Sequence, residues 1–233
     1  MKSIEIVYLI TDSFHEMTLQ SIDHILRFYK NTTPINFSIF HTDEISNTLK
    51  IESKYGAIKY KKLCINKPID HLRIDLPRVT KLPRYIFMDS DTFTTTCISK
   101  LWHHDLKQYC IAACQSSSIS TFEQMYATYR EIPRDTHISI DTPYFNTGVM
   151  IVDCNKWYHM NIYKKCQSAL KLYNNTNYRS IIEPAMNIAL CDKWLMLDEL
   201  WNYRPRNKYK KCNIIHNYGQ NTFRKPRHNA FMQ

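Results

Sequence analysis

The stretch IEIVYLITDSFHEMTLQSIDHILRFYKNTTPINFSIF, residues 4 to 40, decides the fold class. Its first seven residues form a continuous apolar and β-branched run that ends at Thr11-Asp12-Ser13, as a strand covered on both faces does. From Met17 to Tyr29 the apolar positions 19, 22, 25, 26 and 29 recur at the spacing of one helical face, and Asn31 to Pro34 stop the helix. INFSIF, residues 35 to 40, returns to strand. A strand, a helix and a second strand in this order predict an α/β sheet whose ligands bind at the carboxyl ends of its strands, so the polar end of the first strand is a candidate site.

The same reading continues along the chain. It predicts lysine-rich edge strands around 57 to 65, a helix over 71 to 82 despite Pro77, and a buried strand at 85 to 88. Further strands are expected at 109 to 114 and 148 to 153, followed by a helix over 155 to 173. No internal repeat, low-complexity linker or shift in composition divides residues 1 to 233, which are expected to form a single domain.

With 233 residues and 44 % hydrophobic content the chain can bury a sizeable core. Its 31 Lys and Arg against 21 Asp and Glu give a net charge of +10, which invites an anionic partner without choosing one. Only three glycines occur, at 56, 148 and 219, so neither a P-loop nor a Rossmann glycine fingerprint can be built. Any bound phosphate must then be held by a metal or by side chains. The eight cysteines contain no CxxC pair and read as reduced thiols. The N-terminal apolar run is too short for a signal peptide or a membrane span, and nothing later approaches the roughly 18 apolar residues of a span. A cytoplasmic protein is expected, meeting any membrane only peripherally.

Three motifs carry chemistry. In YIFMDSD, residues 85 to 91, Asp89 and Asp91 follow an apolar strand, and strand alternation puts both carboxylates on one side. Two like charges at a strand end are costly without a cation, and hard oxygen ligands favour magnesium or manganese; helix caps and turns also use such aspartates. In YFNTGVMIVDCNKW, residues 144 to 157, Gly148 precedes a strand, and Asn146 and Thr147 are expected on a tight turn facing a ligand. Alternatively, Gly148 only permits close backbone packing. In IIHNYG, residues 214 to 219, an apolar pair ends in His216, and the basic stretch FRKPRH follows at 223 to 228. A histidine there, followed by a turn glycine and Lys225, suits a metal and a diphosphate.

In this order the motifs resemble family 8 of the glycosyltransferases, the glycogenin and bacterial lipooligosaccharide galactosyltransferase group. That family's pattern of apolar strand into DxD, FNxG, asparagine-bearing helix, HxxG and KP appears here as FMDSD, FNTG, EPAMNIAL, HNYG and RKP. The resemblance implies a GT-A fold, with a Rossmann-like, mostly parallel central sheet flanked by helices. It implies a hexosyltransferase that uses a UDP-sugar such as UDP-glucose or UDP-galactose and a glycan or protein acceptor, with retention. By the same resemblance Asp89, Asp91 and His216 bind Mn2+, or Mg2+ in its place. Thr11, Asp12 and Phe14 hold the uridine, Arg73 contacts donor phosphate or sugar, and Lys225 meets the β-phosphate. Ser90 and Gly219 join the donor-binding set, and Asn146 faces the donor sugar.

The chain departs from the family at positions that face the sugar or acceptor. Ile182 and Glu183 stand where the family has Asp-Gln, Gln115 where it commonly has aspartate, and Arg227 where a tryptophan follows KP. Eight residues separate His216 from Lys225 where the family has five. Glu183, Gln115 and Asn146 are therefore the candidate catalytic residues. Glu183 either stabilises positive charge on the sugar of a retaining enzyme or serves as general base of an inverting one, and it could also be a plain helix-start glutamate. Trp201 and Tyr203 read as sugar-stacking residues or as core. Two competing readings remain. The basic runs Lys59 to Lys62 and Arg204 to Lys211, interleaved with aromatics, would suit a nucleic-acid-binding or nucleotidyl-transferring protein, although no nucleic-acid partner is expected on the first reading. An inactive sugar-nucleotide-binding relative is the other.

Overall fold

The computed structural model describes residues 3–42, 44–45, 52–53, 56–64, 67–173, 178, 181–191, 193–205 and 211–217. The opening unit is as expected. Strand β1 (Ile4–Ile10) leads through a 3-10 turn at Asp12–Phe14 into helix α1 (His15–Phe28), and β2 (Ile35–His41) lies parallel to β1. The short β3 (Glu52–Ser53) and the lysine-rich β4 (Gly56–Lys62) extend that edge.

The helix expected over 71 to 82 is instead a 3-10 turn, Ile69–Ile74, followed by the single-turn α2 (Leu76–Val79). Pro77 explains the restart. Its ring would clash with the carbonyl of Arg73 inside a continuous helix, but it is tolerated in a first turn, where it sits. Next come β5 (Arg84–Met88), β6 (Thr92–Thr94), α3 (Ser99–Trp102), β7 (Ile111–Gln115) and α4 (Phe122–Thr128).

β8 (Phe145–Asp153) begins three residues earlier than expected, so Asn146 and Thr147 lie within a strand and not on a turn. The cause is Asn187, whose side chain accepts from Phe145 N at 2.8 Å and donates to Phe145 O at 2.9 Å, pairing that backbone as a neighbouring strand would. The single helix expected over 155 to 173 is two, α5 (Cys154–His159) and α6 (Ile162–Lys171). They are separated at Asn161, which takes a left-handed conformation with φ 57° that asparagine tolerates better than most residues. Helix α7 (Ile182–Ala189) carries Glu183 and Asn187, and β9 (Leu195–Leu197) and β10 (Ile214–His216) complete the elements.

Eight strands form one sheet in the order β3-β4-β2-β1-β5-β8-β7-β9, and β10 pairs with β6 in a second, two-stranded ribbon. Four of the seven pairings are parallel, while β8 runs antiparallel to both of its neighbours. Alternation sends Ile6, Tyr8, Ile86, Met88 and Ile151 to the α1 side, and Val7, Tyr85, Phe87, Met150 and Val152 to the face covered by α5, α6 and α7. Both faces of the central strands are thus buried, which is why their sequences read as largely apolar runs. All eight cysteines are free thiols, five of them buried.

Candidate active site

The antiparallel pairing of β5 with β8 makes the site. Met88 opposes Val149, and Asp89 N donates to Gly148 O at 2.8 Å, so the end of the apolar strand meets the start of FNTG. β5 ends at Met88, and the chain then turns, with Thr92 N and Oγ1 both donating to Asp89 O. Asp89 and Asp91 do face one point, as expected, but this turn sets it rather than strand alternation. β6 leaves the turn and pairs with β10 so that Thr92 opposes His216. One ligand atom from each of Asp89, Asp91 and His216 lies within 4.8 Å of the others.

His216 Nε2 is 3.2 Å from Asp91 Oδ1 and 3.7 Å from Asp89 Oδ2. Ligands about 2.1 Å from a small divalent ion stand roughly 3 Å apart, so the spacing and the hard O,O,N donor set fit Mn2+ or Mg2+. Gly148 is required beside them. A Cβ there would fall 2.1 Å from His216 Cε1 and 2.8 Å from Asp89 Oδ2. The close approach that this glycine allows is not of backbone, as one reading expected, but of side chains, and the groups it admits are the candidate ligands themselves.

Arg73, at the end of the 3-10 turn, stacks over the Phe87 ring at 4.5 Å and donates to Asp89 Oδ1 at 2.7 Å and to Thr147 Oγ1. Asp89 thus divides its oxygens, Oδ1 to the guanidinium and Oδ2 toward His216. Burial pushes the Asp89 carboxyl above its ordinary pKa, against the pull of Arg73 and His216. Glu183 Oε2 accepts from Asn146 Nδ2 at 2.9 Å, Thr147 N at 3.0 Å and Thr147 Oγ1 at 3.2 Å. Burial raises this carboxyl as well, opposed by the Thr147 N–H and by Arg73.

These groups border a cavity of about 460 Å3. Of the residues singled out in the sequence, Thr11, Phe14, Arg73, Asp89, Ser90, Asp91, Asn146 and Glu183 line it. Ser90 is anchored from α1 by the Thr18 hydroxyl at 2.8 Å. Asp12 opens the adjoining 3-10 turn, and His216 stands behind Gly148, 3 % exposed. Gln115 is not brought to the site: it is exposed and its amide donates to Ser120 O. Gly219 and Lys225 lie outside the described residues. Trp201 packs in the core, edge-on to His104.

Asp70, Ser118, Ile119 and Tyr129 also line the cavity and carried no sequence signal. Asn202 was missed as well. A polar residue between Trp201 and Tyr203, it is 7 % exposed and directs its amide at His216.

Comparison with known proteins places the fold and the family. General stress protein A of Bacillus subtilis is 28 % identical over 136 residues, covering 57 % of this chain and 44 % of that protein. "Probable galacturonosyltransferase-like 4" of Arabidopsis thaliana is 29 % identical over 151 residues, covering 62 % and 41 %. The matched stretch therefore spans less than half the length of these curated relatives. Among solved structures, the galactosyltransferase LgtC in complex with donor and acceptor sugar analogues superposes with a TM-score of 0.75 at 15 % identity, over 93 % of this chain and 88 % of that one. The expected GT-A fold is the observed one. The model of the family described as "Glycosyl transferase family 8" matches residues 2–225, and the chain belongs to that family.

Proposed function

We propose that this glycosyltransferase moves a hexose from a UDP-sugar to a hydroxyl of a glycan or protein acceptor, with a divalent metal and with retention at the sugar carbon. The observation that carries the reading is the convergence of Asp89, Asp91 and His216 within 4.8 Å beside a cavity that also holds Arg73 and Glu183. Asp89, Asp91 and His216 would hold Mn2+, or Mg2+, which when bound supplies positive charge to the leaving diphosphate. Thr11, Asp12 and the exposed ring of Phe14 receive the uridine, Ser90 and Arg73 meet the donor, and by the family resemblance Lys225 meets the β-phosphate and Gly219 joins the donor-binding set. The guanidinium is already oriented by Asp89, Thr147 and Phe87, so it needs no reorganisation to face negative charge.

Glu183, held through Oε2 by Asn146 and Thr147, lines the cavity in which the sugar would lie. In the retaining reading Glu183 stabilises positive charge on the sugar carbon. The acceptor hydroxyl attacks from the face the diphosphate leaves, and its proton passes to the departing phosphate oxygen.

Release of UDP from a panel of UDP-sugars, with Mn2+ present or chelated, tests the reading. Wild type is expected to release UDP from one donor only with metal, and Asp91→Asn is expected to fall to the chelated level. No metal-dependent release and no metal-dependent UDP binding would overturn it. The anomeric configuration of the product, read by NMR against that of the donor, tests retention. The donor's configuration supports it, whereas the opposite configuration together with a loss of about 10²- to 10⁴-fold in Glu183→Gln assigns Glu183 as the base of an inverting enzyme.

A further inference from the structure

A chain of buried hydrogen bonds joins His216 to Glu183 through two asparagines. His216 Nδ1 lies 2.8 Å from Asn202 Oδ1, Asn202 Nδ2 lies 2.8 Å from Asn146 Oδ1, and Asn146 Nδ2 lies 2.9 Å from Glu183 Oε2. His216, Asn146 and Asn202 are 3, 6 and 7 % exposed, so water is a poor substitute for any of these partners.

The direction of each link follows from groups that have no choice of role. The Gly148 backbone N–H can only donate, and what lies 2.9 Å from it must be the oxygen of Asn146. Glu183 Oε2 already accepts the Thr147 N–H, so as a carboxylate it faces the amide nitrogen of Asn146. With Asn146 oriented from both sides, its Oδ1 presents an acceptor to Asn202, whose NH2 group must turn toward it. Asn202 Oδ1 then faces His216, and the matching donor is an N–H on Nδ1. A ligating imidazole is neutral and carries a single N–H, so with that N–H on Nδ1 it is Nε2 that presents its lone pair to a bound cation. That nitrogen is the one facing Asp91 and Asp89. Reversing the Asn202 amide would set its oxygen against Asn146 Oδ1, two acceptors with no proton between them.

We propose that Asn202 is a positioning residue for the metal centre: with Asn146 it carries the hydrogen-bond direction set by the Gly148 amide and Glu183 to His216, and so fixes the ring with Nε2 aimed at the cation site. This rests on reading Asp89, Asp91 and His216 as a metal centre. A ligating histidine is held in one tautomer by the partner of its other nitrogen, and loss of such a partner costs about 10- to 100-fold in metal affinity. Asn202 lies fourteen residues before His216, in the 3-10 turn Glu199–Asn202, whose following residue Tyr203 accepts from His216 N at 2.9 Å. Both ends of the contact are therefore tied together through backbone as well.

Two measurements on the full chain test this. In the first, Mn2+ affinity is read from the electron paramagnetic resonance signal of the free ion. Asn202→Leu, similar in size but without hydrogen bonds, is expected to bind about 10- to 100-fold more weakly than wild type. Asn202→Asp restores the acceptor for Nδ1 and should recover most of that loss. In a His216→Ala background, where no ring remains to orient, the Leu and Asp variants should bind alike. Wild-type affinity in Asn202→Leu, or an equal gain from Asp in both backgrounds, would overturn the proposal, the second by showing a plain charge effect.

The second measurement is the histidine ring 15N spectrum of the metal-free protein, with His216 assigned by its loss in His216→Ala. Wild type should show a slowly exchanging proton on Nδ1, held by Asn202 Oδ1, and Asn202→Leu should lose that protection. A wild-type ring with no proton on Nδ1 overturns the relay, and so does a leucine variant that keeps the wild-type protection. The wild-type spectrum decides whether Nδ1 donates even where a variant does not fold. If wild type binds no Mn2+, the metal reading fails while the spectrum still judges the relay.

Discussion

At the residue scale the site depends on what is small and on what is oriented. Gly148 is the only residue type that leaves room for His216 and Asp89, since an added methyl would overlap the imidazole at 2.1 Å. The far side offers no slack, because His216 is held through Asn202 and Asp89 through Arg73. Gly148→Ala is therefore expected to abolish Mn2+ binding and to lower stability by about 1–3 kcal/mol, the cost of overpacking a filled interior. Calorimetric Mn2+ titration and urea unfolding check this, and an alanine variant with wild-type metal affinity would contradict the placement of His216. Residues of this kind were partly legible. Asp89 and Asp91 stood out as charge after an apolar strand, Gly148 as a rare glycine, His216 as the end of an apolar pair, and Glu183 by its place in the family pattern. Asn202, Asp70 and Tyr129 did not, because their roles are set by neighbours remote in the chain, and a lone polar or aromatic residue carries no period or spacing of its own.

At the element scale, what the sequence reveals is local patterning. The apolar runs of β1, β2 and β5 and the face of α1 are legible because burial on both sheet faces leaves almost no polar residue in them. The direction of β8 is not legible, since an apolar run reads the same whether its neighbours are parallel or antiparallel. Its early start at Phe145 is equally hidden, because the group that pairs that backbone is Asn187, forty-two residues away. This clamp has a measurable consequence. Asn187 is 1 % exposed and Phe145 is fully buried, so Asn187→Ala leaves a donor and an acceptor without partners in an apolar setting. A loss of about 1–3 kcal/mol for each group is expected in urea unfolding. Because Asn146, Thr147 and Gly148 follow directly, Mn2+ affinity should fall as well. Asn187→Asp should be no milder, since it keeps the acceptor for Phe145 N but loses the donor to Phe145 O and buries a charge. An alanine variant as stable as wild type would show that the start of β8 is held by the β7 pairing alone.

At the scale of the whole molecule, the site opposes the stability of the fold that carries it. The +10 chain gathers Asp89, Asp91 and Glu183 at one end of its sheet, and burial raises the pKa of both Asp89 and Glu183. A carboxyl whose pKa is higher folded than unfolded binds more protons in the native state between the two values. Stability then falls as pH rises from the ordinary carboxylate range through the raised value, the reverse of a salt-bridged acid. Repulsion among the basic groups, growing as other carboxylates protonate, works in the opposite direction and would mask this in wild type alone. The difference between Glu183→Gln and wild type removes that background, since the rest of the surface is common to both. Measured by urea unfolding with metal chelated, the stability of Glu183→Gln relative to wild type should increase steadily from acid toward neutral pH, because only wild type bears the cost of a buried charge there. Added Mn2+ should stabilise wild type more at the upper end of that range, where protons no longer compete for Asp89 and Asp91. A flat or falling difference would mean that the Asn146 and Thr147 donors outweigh burial and that Glu183 sits ionised at no cost to the fold.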